Sequence, residues 1–128
     1  MIIPDSSVWI EYLRHKSEIF PLMKLLLEKK EILGLECIFA ELLQGAKNDK
    51  EIEIIFTYWD NIQKVNETNM WIQTGIYSAK NNLFARNIGI FDSYLILLSR
   101  ITKSKIWTID KKFIKVLDND LIFRNGSN

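Results

Sequence analysis

Four acidic residues lie where a carboxylate can project into a shared cleft, because each sits beside or within a short apolar run. A carboxylate buried in the middle of an apolar element carries a large desolvation cost, whereas one at the end of an element can face solvent or a cation. We therefore expect a divalent-metal site built from carboxylates that are far apart in the chain. The four acids are Asp5 after 1–4, Glu41 within 38–43, Asp92 at the start of 92–98 and Asp110 at the end of 106–110.

The other possible metal ligands are scarce, since the chain has one cysteine, Cys37, and one histidine, His15. A single cysteine excludes an internal disulfide and a cysteine-based zinc site, and it fits a reducing, cytoplasmic location. Oxygen ligands then favour Mg²⁺ or Mn²⁺ as the cofactor. Two carboxylates roughly 5 Å apart repel by about 3 kcal/mol at an effective dielectric near 20, so a cluster of four calls for a cation or raised pKa values.

The overall charge excludes nucleic-acid binding by bulk charge alone, because 17 basic and 16 acidic residues leave a net charge of +1. Any such binding must use a local basic patch. No apolar run approaches the roughly 20 residues of a membrane span and no signal-peptide pattern begins the chain, so we expect no membrane association.

Strands alternate with helices in the predicted order, which is typical of an α/β fold with a parallel sheet. We expect one domain over residues 1–128, with Asp5 and Asp110 at carboxyl ends of strands, where open parallel sheets place their sites. Ser6 or Ser7 is expected to cap the first helix. Predicted strands are 1–5, 32–35, 62–65, 105–108 and 121–123; predicted helices are 8–15, 18–30, 38–45, 50–59, 67–87, the run after Asp92 and 111–117.

Two helices have predicted inward faces, and a third is predicted to be buried. We expect Ile54, Ile55 and Tyr58 to point inward from the helix at 50–59. A face of Trp71, Gly75, Ala79 and Leu83 is expected on the helix at 67–87, which Gly89 would end. The run after Asp92 is apolar nearly all round, which indicates a helix inside the fold.

The acids and their neighbours carry a family resemblance. The segments are Asp5-Ser6-Ser7-Val8-Trp9-Ile10, Glu41-Leu42-Leu43-Gln44-Gly45, Asp92 before an apolar helix, and Thr108-Ile109-Asp110-Lys111-Lys112-Phe113. In this order the chain resembles a PIN domain, specifically a VapC-type toxin of a bacterial type II toxin–antitoxin (VapBC) system. The resemblance spans the whole chain.

The resemblance implies a PIN-like three-layer fold: a central parallel sheet of four to five short strands with helices on both faces. It implies a Mg²⁺- or Mn²⁺-dependent endoribonuclease that hydrolyses transfer or ribosomal RNA with metal-activated water. Asp5, Asp92 and Asp110 would be metal ligands, and Glu41 would bind the metal or position the water. Expected partners are a VapB-type antitoxin and a second copy of the chain, with DNA bound only indirectly through the antitoxin.

Several further residues are candidates for supporting roles. Ser6 occupies a position that often holds a hydroxyl residue in the resembled family, where it orients a carboxylate; it could equally be a helix cap. Thr108 could support a carboxylate in the same way or be an ordinary strand threonine. Arg86, Lys111 and Lys112 could contact RNA phosphates or serve only solubility. Lys112 departs from the family, since relatives often have a further acid there.

Two other functions remain open. A receiver-like signalling domain would accept a phosphoryl group on one aspartate, but it is expected to have paired acids after the first strand, where this chain has Asp5-Ser6-Ser7. A catalytically silent PIN module would bind RNA or protein without cleaving it. Metal binding and RNA cleavage distinguish these functions from the ribonuclease.

Overall fold

The computed structural model describes residues 1–16 and 18–125. The predicted domain limits, 1–128, also include Ser17 and residues 126–128, which lie outside the described residues. The described part is α/β, with seven α-helices and four short strands. In chain order they are β1 Ile2–Pro4, α1 Ser6–Leu13, α2 Phe20–Glu28, β2 Leu33–Gly34, α3 Glu36–Gln44, α4 Asp49–Asn61, β3 Gln63–Lys64, α5 Met70–Lys80, α6 Ile90–Thr102, β4 Lys105–Trp107 and α7 Lys111–Val116.

The strands form two parallel ladders of two strands each, β1 with β4 and β2 with β3. An isolated parallel bridge joins Ile2 to Ile32, so the segment leading into β2 lies on the side of β1 opposite β4. The segment that follows β1 in the chain therefore pairs on one side of β1, and β4, much later in the chain, pairs on the other side. The carboxyl ends of β1 and β4 meet at this switch in strand order, which is where open α/β sheets form clefts.

The predicted strand at 121–123 is wrong as an extended element. A 3₁₀ turn occupies Asn119–Leu121, and only Ile122 bridges to Ile106 of β4. The hydrogen bond from Phe123 N to Ile106 O, at 2.8 Å, continues this contact for one further residue.

The core surrounds β1 and β4, and its central strand side chains, Ile3 and Ile106, are fully buried. Helix α6 packs on α5 and β4. Every residue of α6 from Ser93 to Ser99 is buried, which confirms the predicted internal helix. Because neighbouring elements cover α6 on several sides, it has apolar side chains nearly all round.

The predicted helix at 67–87 is too long, since α5 ends at Lys80. Asn82 and Asn87 have φ values of 55° and 63°, in the left-handed region that asparagine tolerates better than most residues and that interrupts a helix. Gly89 caps the start of α6 instead of ending the preceding helix.

The predicted faces of α4 and α5 need correction as well. Ile54 is exposed, whereas Ile55 is buried and Tyr58 is half-buried. On α5 the buried residue is Thr74, while Trp71, Gly75 and Ala79 are exposed and only Leu83, beyond the helix, is buried. Among the described residues, no helix combines the length and the apolar character needed to cross a membrane.

Candidate functional site

Asp5 lies directly after β1, and its position depends on both central strands. Its backbone N–H donates to the carbonyl of Trp107 in β4, at 2.9 Å. Its carboxylate is the N-cap of α1, because Oδ1 accepts a hydrogen bond from Val8 N at 3.3 Å. The cap predicted at Ser6 or Ser7 is therefore wrong, and α1 begins at Ser6.

The Asp5 carboxyl is buried, and this burial raises its pKa, while hydrogen bonds from the side chains of Ser7 and Thr108 and from the Val8 backbone oppose the rise. Removing a carboxylate from water disfavours its charged form, and hydrogen-bond donors favour it. The hydrogen-bond donors thus offset part of the cost of burying this carboxyl at the end of β1, and burial remains the larger effect on its pKa.

Ser7 links the two strand ends that border the site. Its hydroxyl donates to Asp5 Oδ1 and accepts a hydrogen bond from Ile109 N, at 3.2 Å, just after β4. The supporting role predicted for Ser6 belongs to Ser7, whose hydroxyl, together with the side chain of Thr108, hydrogen-bonds to the carboxylate. The available clue was position: with Asp5 as N-cap, Ser7 is the second helical residue, where its side chain can reach back to the cap.

Replacing Ser7 with Ala should lower the free energy of unfolding by about 1–2 kcal/mol, because a buried carboxylate loses a donor and Ile109 N loses its acceptor. Ser6→Ala is the matched control, with an expected change within about 0.5 kcal/mol. Urea unfolding monitored by circular dichroism measures both. Equal losses for the two variants would contradict the role given to Ser7.

Thr108 lies between two of the predicted acids. It is buried, and its side chain contributes a hydrogen bond that lowers the pKa of Asp5. Its Oγ1 also accepts from Asp110 N at 3.0 Å. This bond fixes the turn after β4, in which Asp110 is the N-cap of α7.

The other three acids come from helices. Asp110 is the N-cap of α7, and its Oδ1 accepts from Lys112 N at 2.9 Å. Asp92 lies in the first turn of α6, two residues after its start, and is partly buried. Glu41 lies in the middle of α3 and is exposed.

Asp92 is the acid whose carboxyl is influenced by the charges of the other three. Burial raises the pKa of the Asp92 carboxyl most, and the negative charges of Asp110, Asp5 and Glu41 raise it further, in that order. The ion pairs formed among the described residues use other acids, namely Glu11, Asp118 and Asp120. The structure therefore brings together carboxylates from four elements without a basic partner within the described part of the chain.

The donor set suits a hard divalent cation, because it consists of carboxylate oxygens with a combined negative charge. Within residues 1–16 and 18–125, however, no three His, Cys, Asp or Glu side chains stand close enough together to hold a metal ion. Asp5 Oδ1 and Asp110 Oδ1 are engaged by helix caps. Coordination of one ion by three of these acids therefore requires their carboxylates to come closer together than they are in this structure.

The three basic candidates differ in their surroundings. Arg86 donates to the carbonyl of Val116 at 3.3 Å and lies 3.8 Å from Asp118, at the end of α7 away from Asp110. Lys111 and Lys112 are exposed in the first turn of α7, beside Asp110. The two lysines are thus the basic candidates nearest the acids.

No protein-family model matches this chain, and neither does any curated protein. The PIN-domain resemblance accordingly stays a prediction that depends on the residues themselves and on their shared electrostatic environment.

Proposed function

We propose that this chain is a PIN-like, Mg²⁺- or Mn²⁺-dependent endoribonuclease that acts as a VapC-type toxin. The observation that supports this proposal most is the raised pKa of Asp92, which is caused by burial and by the charges of Asp110, Asp5 and Glu41. A partly buried carboxylate that is repelled by three others is costly to a fold, so its presence favours a function that uses a cation. The parallel ladders and their bridges are compatible with a three-layer fold, in which helices cover both faces of a central parallel sheet of four to five strands.

Each acid has a distinct part in the proposed reaction. Asp5, Asp92 and Asp110 would hold the ion, with Asp5 held in place by Ser7 and by its cap on α1. When bound, the ion supplies a more acidic water and neutralises charge that develops on the phosphate. Glu41 is exposed and can accept a proton from the attacking water or orient it. With water as nucleophile, the products carry 5′-phosphate and 3′-hydroxyl ends.

The partners follow from the same proposal. Helices α1, α3 and α4 border a cavity of about 590 Å³ whose walls are mainly apolar and include the charged side chain of Glu41. This cavity suits a segment of a VapB-type antitoxin that would cover the site. A homodimer fits the exposed apolar side chains of Ile72 and Phe84, which are 67% and 84% exposed. A cytoplasmic location and indirect DNA binding through the antitoxin belong to the proposal as well.

A phospho-accepting receiver is less well supported. Its acceptor aspartate must be accessible to a phosphodonor, but Asp5 is only 7% exposed and its carboxylate caps α1. A silent binding module would need no metal, and the separation of the acids among the described residues is compatible with it. Metal-dependent RNA cleavage distinguishes it from the ribonuclease.

The direct test incubates the purified chain with transfer RNA and ribosomal RNA in Mg²⁺, in Mn²⁺ and in a chelator, and maps the ends of the fragments. The proposal expects cleavage with either ion, none with the chelator, and 5′-phosphate ends on the products. Ends with 2′,3′-cyclic phosphate would contradict a water nucleophile. Metal-independent cleavage would contradict the site itself.

The lysines beside Asp110 should affect RNA binding and leave the chemical step unchanged. Replacing Lys111 and Lys112 with Gln together should raise KM for RNA roughly 3- to 10-fold with little change in kcat. It should also reduce the slope of log K for RNA binding against log salt concentration, by the amount expected for the loss of about one or two phosphate contacts. The control replaces two exposed lysines with Gln: Lys24, on α2, and Lys29, the C-cap of that helix. Equal effects of the two pairs would show that the lysines act only through net charge.

A further inference from the structure

Glu67, in the segment between β3 and α5, joins two helices through its two carboxylate oxygens. Its Oε2 accepts a hydrogen bond from Glu36 N, the first residue of α3, at 2.9 Å. Its Oε1 accepts from the hydroxyl of Tyr94 in α6. One side chain thus bonds to α3 and α6 at the same time.

These two helices carry two of the four acids. Glu41 lies five residues after Glu36, about 7.5 Å along the axis of α3. Asp92 lies two residues before Tyr94 in α6. Because α3 packs mainly on α1 and α4, whereas α6 packs mainly on α5 and β4, the two helices belong to different parts of the core. Glu67 is a direct hydrogen-bonded link between them.

The surroundings of Glu67 restrict the geometry of this link. Leu35, the N-cap of α3, provides no side-chain cap, so the carboxylate of Glu67 takes that role and its charge also suits the helix N-terminus. Tyr94 is 1% exposed, and its ring stacks on Trp71 with centroids 3.9 Å apart. The phenol therefore has little freedom to follow α3 if the helices separate.

We propose that Glu67 is a positioning residue: it holds the start of α3 to α6 and thereby sets the distance between the carboxylates of Glu41 and Asp92. This inference rests on the proposed function, since that distance matters for a bound divalent ion. Glu67 touches neither substrate nor metal and acts through Glu41, which would bind the ion directly or through the water that it positions.

A double-mutant cycle on Mn²⁺ affinity tests the proposal, with the full chain and the metal alone in titration calorimetry. Glu67→Ala should weaken Mn²⁺ binding about tenfold or more, the usual size of an effect transmitted through a ligand's neighbours. In a Glu41→Gln background the same change should have little further effect, because the residue through which it acts is already altered. Equal losses in both backgrounds, or no loss in either, would overturn the inference.

Conservative variants separate positioning from charge and from folding. Glu67→Gln removes the charge, yet its amide oxygen can accept from Glu36 N while its amide nitrogen donates to the Tyr94 oxygen, so affinity should stay within about twofold of wild type. Tyr94→Phe keeps the ring stacking and removes only the link to α6, and it should reproduce most of the loss. A loss in the Gln variant as large as in the Ala variant would assign the effect to charge and overturn the positioning role.

Glu51→Ala is the matched control, because Glu51 Oε1 accepts from Lys47 N at 2.9 Å without reaching α6. It should leave Mn²⁺ affinity nearly unchanged. If wild type itself binds no Mn²⁺, the proposed function fails, and the inference fails with it. If wild type binds Mn²⁺ but shows no coupling between Glu67 and Glu41, only the inference fails.

Discussion

Replacing Asp92 with Asn should reduce metal-dependent RNA cleavage by about 10²- to 10³-fold or more, while the folded chain becomes more stable at neutral pH. The activity falls because one carboxylate that would hold the ion is lost. The stability rises because Asp92 is partly buried and repelled by Asp110, Asp5 and Glu41. A fall in activity together with a rise in stability is expected when a residue is needed for function but destabilises the folded state.

The sign of the pH dependence follows from the direction of this pKa shift. Because the pKa of Asp92 is higher in the folded chain than in the unfolded chain, the folded state binds the proton more tightly. Its contribution to stability is largest below the ordinary carboxyl pKa and falls as pH rises through the folded value. The advantage of Asn should therefore appear at neutral pH and fade in acid.

Thermal unfolding in a chelator, at neutral pH and in acid, measures this difference, which should be on the order of a few degrees in Tm. Asp60→Asn is the control, since Asp60 is an exposed residue of α4. It removes the same charge without touching the acidic group. Asp92→Asn protein that is fully active, or less stable than Asp60→Asn protein at neutral pH, would contradict the assignment.

Addition of Mn²⁺ should stabilise the wild-type chain strongly. An ion that binds only the folded state at about 100 times its dissociation constant contributes about 2.7 kcal/mol. For a chain of this length that corresponds to a rise in Tm of roughly 5–10 °C. Relief of the repulsion among Asp5, Asp92 and Asp110 is the physical source of this gain. A series of thermal melts against Mn²⁺ concentration measures it.

The Asp5→Asn variant tests whether the stabilising Mn²⁺ binds at this site or elsewhere on the protein surface. Asparagine is as good an N-cap as aspartate, so α1 should still be capped, while the buried charge is lost. The Mn²⁺-induced rise should then be much smaller than in wild type. A rise of the same size in both proteins would locate the ion elsewhere.

Local patterns predicted several elements well because their physical causes are local. The apolar run at 1–4 became β1, the run after Asp92 became the buried helix α6, and Gly45 became the C-cap of α3. In each case burial or a cap is visible in the residue types of the segment itself.

The wrong predictions have identifiable causes. Asn82 and Asn87 adopt positive φ values that helical periodicity does not reveal, so α5 was predicted too long. Trp71 looked like a core residue of α5, yet it lies half-exposed against Tyr94 of another helix. Ser7 supports the carboxylate assigned to Ser6, because which hydroxyl faces Asp5 depends on where α1 begins.

Residue types along the chain are enough to identify the carboxylates that end or interrupt apolar segments, because desolvation keeps such groups at the ends and edges of buried elements. The influence of Asp110, Asp5 and Glu41 on Asp92, and the link that Glu67 makes between α3 and α6, are visible only in the folded chain. Both depend on how distant segments pack. Glu67 lies 31 residues from Glu36 and 27 from Tyr94, separations at which no local pattern specifies a contact.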